Sequence, residues 1–148
     1  MLNKKTLIIA GILFSGIVAN SQAALPADVL KTLENKKPDY RSLSIRAPEI
    51  AENGATVNIK IKKIAPLSQG EYIRQLSFYS DFRKTKPIAQ FNLGPASIVD
   101  GMKLRVRMRE TGNVYVVAKL NSGRVWAAEK KVKITIGGCG GTVNNDDE

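Results

Sequence analysis

Between Met102 and Arg109 every second side chain is apolar: Met102, Leu104, Val106 and Met108 alternate with Lys103, Arg105, Arg107 and Arg109. A period of two belongs to an extended strand with one face on a core and the other in water. The same pattern recurs along most of the chain. Leu43, Ile45 and Ala47 alternate ahead of Pro48, and Val57, Ile59 and Ile61 alternate with Asn58, Lys60 and Lys62 beyond a turn at Glu52-Asn53-Gly54. Tyr72 to Tyr79 is a third strand, with Leu76 and Phe78 on one face, and Lys86 to Leu93 is a fourth, ended by Gly94-Pro95. After Met102 to Arg109, Thr111-Gly112-Asn113 turns the chain into Val114 to Leu120, and Asn121-Ser122-Gly123 turns it into Arg124 to Ala128 and on to Ile136. Short strands at regular intervals, separated by turn residues, predict an all-β, immunoglobulin-like β-sandwich of about seven strands. The antibody-type Cys-Trp-Cys arrangement is missing, and Trp126 is read as core, where large aromatics dominate.

Two segments depart from this pattern before the first strand. Met1 to Ala23 has a basic start at Lys4 and Lys5, an apolar stretch from Thr6 to Val18 and small residues at Ser21-Gln22-Ala23, the composition of a cleavable export signal. The apolar stretch is 13 residues long, too short to span a bilayer comfortably. Leu25 to Lys36 reads as a short N-terminal helix capping the sandwich, with Pro26 early and Leu25, Val29, Leu30 and Leu33 on one face. The expected organisation is therefore a signal peptide over 1–23, a β-sandwich domain over 24–136 and an arm with its tail over 137–148. Without the signal, 125 of the 148 residues remain, one ordinary domain, and the formal charge of +10 falls to +8. Export, and the scatter of lysine and arginine over alternate strand positions, argue against a nucleic-acid partner and for a solvated sheet face. The arginines between Met102 and Arg109 are placed to hold an anionic sulfur group or an acidic partner, but a solvated face is the favoured reading.

The end of the chain is unlike the rest. In Lys131 to Gly141, K-V-K-I-T-I-G-G-C-G-G, Val132, Ile134 and Ile136 continue the alternation, and then the side chains stop. Gly137, Gly138, Gly140 and Gly141 have no Cβ to pack, so the segment is expected to be a flexible arm that presents Cys139. Burial of the thiol as a small hydrophobe needs neighbours that pack, and four glycines supply none. One cysteine without a histidine anywhere in the chain assembles neither a zinc nor an iron–sulfur centre. A nucleophilic cysteine enzyme needs a base and a preorganised oxyanion hole, and neither is on offer, so no residue is assigned a catalytic or metal-binding role. Glu49, Glu52, Glu71, Asp81, Asp100 and Glu110 show no spacing that pairs two of them for acid–base work. A lone cysteine in an oxidising compartment stays free, pairs between chains or carries something. Two functions stay open on these grounds: a thiol inserted into other proteins' active sites, or an exported interaction module whose cysteine crosslinks two copies.

The ending V-K-I-T-I-G-G-C-G-G, with A-P-E-I-A-E-N-G (Ala47 to Gly54) and T-G-N-V-Y-V-V-A-K-L-N-S-G-R-V-W (Thr111 to Trp126), closely resembles the SoxY family, sulfur-carrier subunits of the periplasmic thiosulfate-oxidising Sox system. The resemblance implies a carrier without a cofactor and without catalysis of its own, with sulfur attached at Cys139. It further implies a heterodimer with a SoxZ-like β-sandwich subunit. The enzymes acting on the arm would be a haem-containing thiosulfate-conjugating protein, a sulfate-releasing hydrolase and a sulfane dehydrogenase. It implies a periplasmic location, and no nucleic acid or membrane as partner once the signal is removed. Such proteins commonly leave the cytoplasm by the twin-arginine route, whereas Asn3-Lys4-Lys5 has the form of a general secretory signal. The stretch T-V-N-N-D-D-E, Thr142 to Glu148, runs past the point where SoxY arms usually stop and is expected to obstruct entry of the arm into a closed funnel.

Overall fold

The computed structural model describes residues 25–34, 36–52, 56–83 and 85–135; the arm glycines and Cys139 lie outside them. Apart from β2, the strands form where alternation predicts them. They are β1 (Leu43–Arg46), β2 (Ile50–Glu52), β3 (Thr56–Ile64), β4 (Ile73–Ser80), β5 (Ala89–Asn92), β6 (Lys103–Arg107), β7 (Gly112–Leu120) and β8 (Val125–Thr135). They build two sheets, one ordered β1-β3-β6 and the other β2-β8-β7-β4-β5. All pairings are antiparallel except that of β2 with β8, which is parallel. The all-β sandwich expected from the alternation is thus the fold observed.

Between the sheets lies one core. Val57, Ile59, Ile61 and Val106 from the smaller sheet meet Leu76, Phe78, Val114, Val116, Trp126 and Val132 from the larger. Trp126 is 1 % exposed, and the Phe78 and Phe91 rings meet edge to face with centroids 6.0 Å apart. Outside the larger sheet sits a second core. Helix α1 (Ala27–Lys31) and the residues flanking it bring Leu25, Val29 and Leu33 onto Tyr79, Tyr115, Val117, Val125 and Ala127.

Three sequence expectations change. The helix spans five residues rather than Leu25 to Lys36: Leu33 packs as predicted, but it does so from the turn that follows α1. The sixth strand stops at Arg107, short of Arg109, although Met108 beyond it is buried. Glu52, assigned to a turn, ends β2, a three-residue strand too short for alternation to reveal. Its partner is an edge of β8, and no local pattern encodes that pairing.

Candidate functional site

The structure describes the chain up to the end of β8, the root from which residues 136–148 continue. One edge of β8 is laddered to β7 from Val125 opposite Lys119 to Val132 opposite Gly112. The other edge is held at both ends. Near its start, Asp39 N donates to the Val125 carbonyl at 2.8 Å and Ala127 N donates to the Asp39 carbonyl at 2.9 Å. Near its end, β2 lies alongside, with Ile50 opposite Lys133, Ala51 opposite Ile134 and Glu52 opposite Thr135. On that edge Lys133 N donates to the Glu49 carbonyl at 2.8 Å, and on the β7 edge Ile134 N donates to Thr111 Oγ1 at 2.8 Å. Thr135 Oγ1 in turn donates to the Ala51 carbonyl at 3.4 Å. Unpaired backbone donors are costly, so these contacts carry the strand to its last described residue, Thr135.

β8 is therefore held on both edges up to Thr135. Cys139 is four residues past Thr135, so its reach from that fixed point is at most about 14 Å.

A network beside the root pins the neighbouring loop. Asp81 accepts from Asn113 N at 2.7 Å, from Asn113 Nδ2 at 3.1 Å and from the Tyr115 hydroxyl at 2.7 Å. Asp81 and Phe82 crowd Gly112, where a Cβ would lie 3.0 Å from the Phe82 ring. Partial burial and the Asp81 carboxylate push the Tyr115 hydroxyl well above its ordinary range. Burial, and then the charge of Asp81, also push the Glu129 carboxyl up, and Glu129 Oε2 has no hydrogen-bond partner. At the opposite end of β8, Glu71 is bound by Arg124 and by the Ser122 hydroxyl, and Ser68 N donates to it at 3.2 Å. These bonds hold the Glu71 carboxyl down at about 2. Arg124 also lies 5.4 Å from the centre of the Trp126 ring. Both networks tie loops to the larger sheet.

The structure does not bring the carboxylates named in the sequence into a pair; the carboxylate that Asp81 perturbs is Glu129, on β8. Among the described residues no group of three or more His, Cys, Asp or Glu gathers as a metal site, and no helix is long and apolar enough to cross a membrane. Cys139, Gly137, Gly138, Gly140 and Gly141 lie outside the described residues. The clamp made by β2, Thr111 and the Glu49 carbonyl was missed in the sequence. Its one trace there is that Glu49 to Glu52 and Thr111 fall inside the two stretches that resemble the family.

The structure defines a two-sheet sandwich whose final strand, β8, is held on both edges up to Thr135, and the sequence G-G-C-G-G at 137–141 follows it outside the described residues. The chain matches the family of the sulfur oxidation protein SoxY over residues 28–139 and belongs to that family. It is similar in structure to the sulfur carrier protein SoxY from Chlorobium limicola f thiosulfatophilum, with a TM-score of 0.56 and 28 % identity, covering 73 % of this chain and 93 % of that one. Superoxide reductases share the fold. The one from Ignicoccus hospitalis, also called neelaredoxin, gives a TM-score of 0.52 at 19 % identity over 64 % of this chain and 81 % of its own. A putative one from Thermotoga maritima gives 0.52 at 13 % identity over 70 % and 90 %. At such identities the likeness is one of fold alone. Comparison with curated proteins finds no match.

Proposed function

We propose that this chain is a covalent carrier of sulfur intermediates in thiosulfate oxidation, with Cys139 as the attachment point. The observation that carries the proposal is the family match, which runs from residue 28 through the sandwich and ends on Cys139 itself. In the first step the Cys139 thiolate joins the outer sulfur of thiosulfate to give Cys–S–S–SO₃⁻, and two electrons pass to a haem-containing partner. Hydrolysis then consumes one water and releases sulfate and two protons, leaving a persulfide on the arm. Such sulfur–sulfur bonds are reversible, so cargo stays captive while it moves between enzymes. The chain contributes position, and its partners contribute activation, because only roughly 3 % of an unperturbed thiol is thiolate at pH 7.

The reading includes export to the periplasm with loss of 1–23, and a heterodimer with a SoxZ-like subunit. Unpaired strand edges support the heterodimer, since β1 and β6 bound the smaller sheet and β2 and β5 bound the larger. Substituting Cys139→Ser tests the carrier. The expected outcome in a reconstituted system is complete loss of thiosulfate-dependent turnover with an unchanged melting temperature. Loss of a disulfide-linked dimer with turnover intact would instead establish a crosslinked interaction module.

A further inference from the structure

The outer face of the smaller sheet carries like charges in register. Arg46 stands opposite Lys60 and Lys60 opposite Lys103, with Arg105 opposite Asn58 one row along. With Lys62, these exposed cations line an open cleft of about 1180 Å³ beside the Ala47-Pro48-Glu49 crossing. Like charges directly opposite on neighbouring strands destabilise a sheet. None of the five has an ion-pair partner among the described residues, and the one carboxylate on the lining, Glu49, sits 3.6 Å from Lys130 instead. A local rule broken without local compensation marks a functional surface, and a face of one sign favours an anionic occupant.

We propose that the occupant is an extended acidic segment of a partner protein, carrying aspartate or glutamate at alternate positions. Spacing argues for it. Neighbouring strands lie about 4.8 Å apart, so the row of Arg46, Lys60 and Lys103 spreads three charges over roughly 10 Å. From Lys60 to Lys62, or from Lys103 to Arg105, is a step of roughly 6.8 Å along the strand. A single small oxyanion covers too little of that area to meet all five cations. A strand of a partner repeats its side chains on one face about every 6.8 Å, which is the step along β3 and β6. Other polyanions fit less well. Single-stranded nucleic acid binds basic grooves that also offer aromatic rings for stacking, and no aromatic lines this cleft. A membrane-surface site joins cations to inserted apolar side chains, and the exposed large apolar residues Ile50, Leu67, Phe82 and Ile98 all lie off the lining. The cleft shares Glu49 and Lys130 with a second one of about 490 Å³, which Lys131 and Lys133 also line. A protein seated on this face therefore lies beside the last residues of β8. The inference concerns the face alone and stands whether or not Cys139 carries sulfur.

The test titrates the full chain with two synthetic peptides of equal composition, one alternating glutamate with threonine and one with its glutamates in a block. The alternating peptide should shift the amide resonances of Lys60, Lys62, Lys103 and Arg105, and it should bind at least about threefold more tightly than the block. Its affinity should fall at least about fivefold between about 0.05 M and about 0.5 M salt. Lys60→Glu with Arg105→Glu should abolish binding, and the milder Lys60→Gln with Arg105→Gln should weaken it at least about threefold. Lys37→Glu with Lys86→Glu makes the same change in net charge at exposed positions off the cleft, and should leave binding within about twofold. Equal binding of the two peptides, or an equal loss from the control pair, would reduce the attraction to net charge and overturn the proposal. So would tighter binding of a thymidine oligonucleotide, or adhesion to phosphatidylglycerol vesicles, that is lost with Lys60→Glu and Arg105→Glu. The face would then belong to nucleic acid or to a lipid surface.

Discussion

The two sheets are built from the same alternation but end in different environments. On β3, Val57, Ile59 and Ile61 are buried while Asn58, Lys60 and Lys62 face water. On β7, Val114, Val116 and Ala118 are buried inward, and Tyr115 and Val117 are buried outward as well, under α1 and its flanking turn. A second apolar cover converts a half-buried strand into one buried on both faces, whose residues read as a continuous apolar run. β8, the last described strand, belongs to the covered sheet, and the open sheet keeps its charge. Rigidity and solvent-facing charge are thereby divided between two layers of one small domain.

The largest expected effect breaks the shared core. Trp126→Ala should cost about 3–5 kcal/mol, because it leaves a cavity between both sheets, whereas Lys60→Ala on the open face should stay within about 0.5 kcal/mol. Chemical denaturation of the two variants measures the contrast; similar losses would mean that the open face contributes to folding.

Next comes the cover itself. Leu33 is 1 % exposed and belongs only to the outer core. Leu33→Ala should cost about 2–3 kcal/mol. In hydrogen exchange it should deprotect β7 and β8 amides before those of β3 and β6. Uniform deprotection of both sheets would show that the outer core is not a separate cooperative unit.

Thr111→Val sharpens the comparison at the arm's root. It removes the acceptor for Ile134 N without changing shape much, so about 1 kcal/mol should be lost. The amides of Ile134 and Thr135 should exchange faster while those near Asp39 hold. An unaffected Ile134 amide would leave β2 as the sole clamp.

Legibility followed the range of the interactions. Alternation located β1, β3, β6, β7 and β8 because each has at least one face whose burial follows a period of two, and Trp126 lies in the core as its size implied. The parallel pairing of β2 with β8 was invisible because it joins Ile50 to Lys133 across more than eighty residues without a local signal. The extent of α1 was overestimated because Leu25 and Leu33 pack on the sheet from outside the helix, so the apolar spacing outlasts the helical backbone. At the site, Cys139 stood out by its glycine surroundings, whereas the Thr111 clamp is a tertiary hydrogen bond that composition does not announce.

The smallest expected effect is a pH dependence in which two carboxylates of the covered sheet act in opposite directions. Glu71, held at about 2 by Arg124 and Ser122 against an unfolded value of 4.5, contributes stability that is present above 4.5 and lost as pH falls toward 2. Glu129 is raised above 4.5 by burial and by Asp81, so the folded state binds its proton more tightly than the unfolded chain does. Its ionisation therefore costs stability above the raised value, and that cost fades as pH falls toward 4.5. Glu129→Gln should stabilise the protein by about 0.5–1 kcal/mol at pH 8, since a neutral amide relieves the cost of burying a charge and the repulsion from Asp81. The gain should shrink as the pH of the melting experiment is lowered to 4.5. Glu71→Gln should do the reverse, destabilising at pH 8 and converging on the wild type only below 4.5. A Glu129→Gln gain that persists unchanged into acid would mean that packing of the amide, and not the charge beside Asp81, sets the energy of this position.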